Sequence, residues 1–319
     1  MQILLTYKSK QFFWLLIKLT IVFGCAFFIY QKLFLNTAIS FASLQTQLFK
    51  YQFFTFKNMI ILVFFSTLNW FFEIYKWKKL VAITQKISLK ESSIQCLASL
   101  ATSLITPNRI GEYGAKAMFF KKSLRKKIVG FNIIGNFYQL ITTLLFGITG
   151  FTYFVFTHKV NLNFKSIFTI IILSLIFFGC IYLALYRFKK GKEYVTKITT
   201  FINTISFSVN LKTFCFAIFR YLFFSHQFYF LLTLFSVEIN YLDAVSAIAS
   251  VYLIASIVPM LSLLDIVLKS TVAVWVFSFF SVPAIIILTV VSLLWFFNFA
   301  IPSLIGSYFV ITFKPKLST

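Results

Sequence analysis

Six apolar runs, near 11–31, 58–75, 130–156, 167–186, 213–235 and 284–310, set the first limit on what this chain can fold into. At about 1.5 Å per residue, each is long enough as a helix to cross roughly 30 Å of hydrocarbon with some tilt. Two further runs, 92–106 and 244–258, are fifteen residues long and stop at Pro107 and Pro259. As helices they would reach only about 22 Å. With 60% of its 319 residues hydrophobic, the chain is expected to be an all-α polytopic membrane protein, with six full spans plus two re-entrant hairpins broken at their prolines. The run 11–31 is read as a retained span. It is long for a signal-peptide core, and its one small-x-small triplet, Gly24-Cys25-Ala26, is followed at once by more apolar residues.

The charge is strongly one-sided: 30 Lys and Arg against 7 Asp and Glu, a formal net charge of +23. In a soluble protein that balance would point to nucleic acid. Here most basic residues lie between the apolar runs, so an anionic membrane surface is the expected partner and nucleic acid is not. With a cytoplasmic N-terminus and hairpins that return to the side they entered from, segments 1–10, 76–90, 121–127, 187–212 and 314–319 are cytoplasmic and hold 20 Lys and Arg. The external segments 32–57, 157–166 and 236–243 then hold 5. Such a bias fits the positive-inside rule and places both termini in the cytoplasm. Segment 187–212 mixes charged and apolar residues and is expected to lie as a surface helix on the inner leaflet.

No segment is long and polar enough for a soluble catalytic domain, so residues 1–319 are read as one membrane domain that is not an enzyme. Cys25, Cys96, Cys180 and Cys215 are isolated among apolar residues, and His158 and His226 have no second ligand at metal spacing. No metal or cofactor is expected.

The two short runs belong to an internal repeat. Set without gaps at an offset of 152, "ISLKESSIQCLASLATSLITP" (87–107) and "INYLDAVSAIASVYLIASIVP" (239–259) align Glu91 with Asp243 and Pro107 with Pro259. After each proline an acid is followed four residues later by lysine: Glu112 and Lys116, then Asp265 and Lys269. Repeat 1 is placed at about 58–156 and repeat 2 at about 213–310. Because the first hairpin would enter from the cytoplasm and the second from outside, the units are expected to be inverted, with their binding site at the broken segments.

Between two apolar runs, "ITPNRIGEYGAKAMFF" (105–120) crowds Arg109, Glu112 and Lys116 into eight residues. Pro107 removes a backbone donor and Gly111 loosens the chain, which leaves polar backbone that must face protein or a water-filled cavity. Five charges there, Arg109, Glu112, Lys116, Asp265 and Lys269, would each cost roughly 2.5–3.5 kcal/mol to insert unpaired. Two readings stay open: a polar cavity for substrate, or i,i+4 acid–lysine pairs that only neutralise each other. Of the other polar groups, Lys18 and Arg220 are expected to snorkel to the cytoplasmic surface, and Glu73 and Trp77 to be interfacial. Asn69, Asn132, Asn136 and Asn298 are expected to join helices.

"TPNRIGEYGAKAMFF" resembles the P-x-x-x-G-E stretch of the lysylphosphatidylglycerol synthase transmembrane family, the flippase-like region of bacterial aminoacyl-phospholipid proteins and of stand-alone relatives. "SIVPMLSLLDIVLKSTVAVW" is similar to the family's second stretch, with "MLSLLD" where a glycine-rich form is usual, and "WFFNFAIPSLIGSYF" (295–309) resembles its closing helix. The resemblance implies a lipid-translocase fold in a bacterial inner membrane, with a cavity that admits a phospholipid head group. It places Pro107, Arg109, Gly111 and Glu112 on the first motif, and Pro259 and Asp265 on the second. The soluble aminoacyl-transferring domain has no counterpart here.

The leading expectation is therefore a flippase-like protein that moves a phospholipid or polyprenyl-linked lipid, partnered by a membrane lipid with an anionic head group. An accessory or scaffold subunit working with an envelope-biosynthesis partner is the alternative. A membrane transferase using Glu238 and Asp243 is less favoured, because their loop offers no pocket. The topology is directly testable: in intact cells, Lys122→Cys should resist an impermeant thiol reagent and Asn240→Cys should label. Labelling of Lys122→Cys from outside would remove the first re-entrant hairpin.

Overall fold

The computed structural model describes residues 41–51, 53–104, 106, 109–160, 186–257 and 265–313, with single positions at 16, 19, 20, 23, 27, 179 and 183. The expected spans at 11–31 and 167–186, and Pro107 and Pro259 at the expected breaks, fall outside or almost wholly outside these residues. The described secondary structure is helical throughout.

The first unit contains α2 (Phe56–Val81), α3 (Leu89–Leu104), α4 (Ile110–Met118) and α5 (Arg125–His158), preceded by the short α1 (Phe41–Lys50). After α6 (Lys189–Asn203) comes the second unit: α7 (Phe207–Leu234), α8 (Tyr241–Ile257), α9 (Asp265–Ser278), α10 (Ala284–Trp295), a π-helical turn (Phe296–Ala300) and α11 (Ile301–Thr312). Four stretches are long and apolar enough to cross a membrane: Phe56–Val81, Arg125–His158, Phe207–Leu234 and Ala284–Thr312. They coincide with four of the six runs read from the sequence.

The order of described elements is similar in the two units. A long helix, two short helices and a long stretch follow one another in each, with α3 starting at Leu89 and α8 at Tyr241, 152 positions on. Even the starts match in kind. Thr55 caps α2 by accepting from the Asn58 backbone N–H, and Ser206 caps α7 by accepting from that of Val209. The aligned acid at Glu91 is explained by capping, because the Ser88 N–H donates to its carboxylate at 2.7 Å while its own N–H donates to the Ser88 hydroxyl at 3.1 Å.

The two units exchange partners. α3 packs on α11, the last helix of the other unit, and α8 packs on α5, the last helix of the first. At the centre α2 packs on α7. Gln227 donates to Leu62 and Ser66, Arg220 to Asn69 and Glu73, and Phe216 faces Tyr75, so residue numbers rise on one helix as they fall on the other. The central helices are thus antiparallel.

Small residues make the exchanged contacts close. Gly306 of α11 lies against the Leu97 backbone of α3, so that a Cβ there would run into its carbonyl oxygen. Gly150 of α5 lies likewise against Ala249 of α8, the residue aligned with Leu97. Such backbone approach is how apolar helices gain packing where hydrophobicity does not separate helix from lipid. Gly306→Ala should therefore lower stability by about 1–3 kcal/mol, while Gly114→Ala, where a Cβ meets nothing, should be neutral or slightly stabilising. Thermal unfolding in detergent micelles checks the pair.

Candidate functional site

Glu73 sits on α2, inside a helix that is otherwise largely apolar, and is 6% exposed. A carboxylate there must be paired. Lys76, one turn on, reaches it at 2.6 Å. Arg220, at the middle of α7, donates Nη1–H to the same oxygen at 2.8 Å and Nε–H to Asn69 at 3.2 Å. This corrects two sequence expectations. Arg220 does not snorkel to a surface, because an acid and an amide from the neighbouring helix satisfy it in place. Glu73 and Trp77 are buried within the protein, Trp77 to 1% exposure, rather than presented at its surface.

The first hairpin brings its own charges to the same place. Its end is tied by short bonds: the Gly111 N–H donates to Thr106 Oγ1 at 2.8 Å, and Thr102 Oγ1 donates to the Gly111 carbonyl at 3.1 Å. A Cβ on Gly111 would collide with the Thr102 carbonyl, so the glycine is needed for close approach of α4 to α3. Arg109, just before α4, has a left-handed backbone with φ 56°. The turn it makes lets α4 fold back along α3.

Lys116 Nζ donates to Glu112 at 2.9 Å and to Asn132 of α5 at 2.8 Å, lies 3.9 Å from Glu73, and stands 4.5 Å over the Trp77 ring. Trp77 is held by its indole N–H, which donates to Gln95 at 2.7 Å. The expected i,i+4 pair of Glu112 with Lys116 therefore exists, but inside a larger network. Arg109 Nη2 approaches Glu112 at 3.5 Å. The cluster holds four cations, Lys76, Arg109, Lys116 and Arg220, against two carboxylates, Glu73 and Glu112. Its formal charge is +2. Were one buried lysine to lose its proton, an excess of one would remain.

An amide chain carries the network into the second unit. Asn69 donates to Asn298 at 2.9 Å, and Asn298 donates to Gln227 at 2.8 Å. Asn298 lies in the π-helical turn, whose wider winding leaves the Asn298 carbonyl able to accept from the Trp70 indole at 3.1 Å. All four asparagines join helices as expected: Asn132 bonds Lys116, and Asn136 donates to Tyr113 at 3.1 Å.

Two spaces open beside these groups. A small polar pocket of about 20 Å³, enough for one water, is lined by Glu73, Glu112, Lys116 and both arginines among others. A second cavity of about 250 Å³ lies between the units. Arg109, Arg220 and Lys269 bring three cations to its wall, Asn69, Gln139 and Asn298 bring amides, and Tyr252 is among the aromatic and small residues that complete it. No carboxylate is among its described lining residues. Arg109 and Arg220 border both spaces.

Of the residues proposed from sequence, Arg109, Glu112 and Lys116 come together, and Arg109 shares the larger cavity with Lys269, which also stands 5.7 Å from the Phe299 ring centre. Asp265 is the first residue of α9, and its side chain lies outside the described residues, as do Pro107 and Pro259. Sequence reasoning missed Glu73, Lys76, Arg220 and Gln139. A signal was available: apart from the loops used for topology, only Lys18, Arg109, Lys116, Arg220 and Lys269 carry positive charge. Four of those five lie in this site.

No family model matches the chain, and neither a curated protein nor a solved structure is similar to it.

The network predicts a distinctive stability pattern. Glu73→Gln should cost about 3–5 kcal/mol, because Lys76 and Arg220 lose a buried counter-charge. Adding Arg220→Gln to Glu73→Gln should recover part of that loss. A double-mutant cycle of unfolding midpoints gives the coupling.

Proposed function

We propose that the protein moves a lipid between the leaflets of a bacterial inner membrane, the cavity between the units admitting the head group. The observation that carries this reading is the cavity itself: a cationic and amide-lined space among helices long enough to cross a bilayer. A polar head group entering hydrocarbon loses its water, and polar groups placed to replace that water lower the barrier to its passage. The aromatic part of the same wall offers apolar surface beside the charges. Lipids carry the same two characters together.

In this reading the runs 11–31 and 167–186 supply two further spans, α3–α4 and α8–α9 are re-entrant hairpins, and both termini are cytoplasmic. If antiparallel α2 and α7 both cross the membrane, the axis relating the units lies in the membrane plane. That is the inverted arrangement in which a fixed central site opens alternately to each side. The resemblance of "TPNRIGEYGAKAMFF" to the synthase transmembrane family supports the same reading. The chemistry is transfer across the membrane, with no bond made or broken.

Reconstitution tests it. In vesicles carrying a fluorescent phospholipid, the protein should let an impermeant quencher reach lipid that starts in the inner leaflet, and Arg220→Gln should abolish this while the protein stays inserted. Protein-free rates in the parent vesicles would refute the reading.

A further inference from the structure

The cluster's charge and the position of its acids narrow the substrate. Resting on the translocation reading, we infer that the head group is a lipid phosphate of small size and net negative charge, held by Arg109, Arg220 and Lys269. The two acids that a cationic head group would need are already engaged. Glu73 is shared by Lys76 and Arg220, and Glu112 by Lys116 and Arg109. Both carboxylates face the small pocket and neither is among the residues lining the larger cavity.

The cluster in turn is short of negative charge. Two carboxylates offset only two of four cations, and a buried excess of positive charge is stabilised by an anion from outside. Arg109 and Arg220 are the members of the cluster that reach the cavity wall. Arg109 presents a planar fork of N–H donors, the geometry that matches two phosphate oxygens, while Arg220, whose Nε and Nη1 are engaged by Asn69 and Glu73, adds its charge and its remaining N–H groups. Arg220 keeps its hold on Glu73 through Nη1, and the Glu73 contact fixes where the rest of the guanidinium points. Arg109, with a side chain 45% exposed and Glu112 only at 3.5 Å, is the more open of the two. Lys269 brings a third charge from the second unit, so one phosphate would bridge both halves of the repeat.

Lys116 takes no part in this contact. Its ammonium is spent on Glu112, Asn132 and the Trp77 face, and it does not line the larger cavity. It positions Glu112, which in turn steadies Arg109.

Size sets the other limit. At about 250 Å³ the space falls below the roughly 300–1,000 Å³ of pockets that bury drug-sized ligands. A phosphate, bare or with a glycerol, fits that space, and a lipid-linked oligosaccharide does not. An ammonium head group would meet the Arg109 and Arg220 guanidinium groups, while the carboxylates that pair with them face the small pocket.

The test uses the full chain in nanodiscs, with binding of phosphatidic acid, phosphatidylglycerol and phosphatidylethanolamine measured by native mass spectrometry at matched concentrations. Phosphatidic acid should bind at least tenfold more tightly than phosphatidylethanolamine. Arg109→Gln and Lys269→Gln should each reduce that preference at least threefold with the melting temperature kept, Arg220→Gln should reduce it likewise in the protein that remains folded, and Lys116→Met should not reduce it beyond any loss of folded protein. Inorganic phosphate at the same concentration should not displace the lipid; displacement would assign the site to a soluble anion and overturn the lipid class. Equal affinity for the three lipids, or a preference for phosphatidylethanolamine lost in Asp265→Asn, would also overturn the inference. The two readings fail separately: head-group preference without lipid movement in vesicles would refute translocation alone, and movement without preference would refute the phosphate site alone.

Discussion

One carboxylate holds the two halves of this protein in register. Glu73 on α2 takes a charge-assisted hydrogen bond from Arg220 on α7, and the Glu73 side chain is buried. Neither group could stand alone at that depth, so each fixes the rotation and height of the other's helix. Everything that forms the site then follows. Lys76 completes the carboxylate, and Asn69 steadies the guanidinium from the turn before Glu73. The hairpin helix α4 docks because Lys116 finds Asn132 of α5 and Trp77 of α2 in place.

The units share a plan but not a chemistry. At the offset of 152, Glu73 corresponds to Ser225 and Lys76 to Phe228, while Lys116 and Lys269 each stand four residues after an acid. The first unit holds most of the buried ion pairs, and the main hydrophobic cluster draws most of its residues from α7, α8, α9 and α10. One half is mainly apolar inside, and the other is ordered by ion pairs as well as by a smaller apolar cluster. Ion pairs can exchange partners at little cost when a competing anion arrives, whereas packed apolar side chains cannot. The charged half is therefore where a ligand would act on the structure.

The helical plan was legible because apolar run length and proline position are local properties. Four runs reappear as long helices, and the aligned short runs reappear as α3 and α8. The site was legible only in part. Arg109, Glu112 and Lys116 stand close together in sequence, so their association could be read directly. Arg220 and Glu73 are 147 positions apart and meet only because α2 and α7 are antiparallel. Read singly, an arginine well inside an apolar helix has two outcomes, reach for the surface or find an acid, and nothing local decides between them. The acid itself was the missing clue: a chain with 7 acidic residues had placed one on a membrane-length helix.

The central claim is that lipid phosphate occupies the cavity between the units. An experimental structure of the protein in nanodiscs containing phosphatidic acid tests it most directly. The account predicts head-group density between Arg109, Arg220 and Lys269, with the Glu73–Arg220 contact retained. Lipid density confined to the outer surface of the helices, with that cavity filled by side chains or only water, would contradict it.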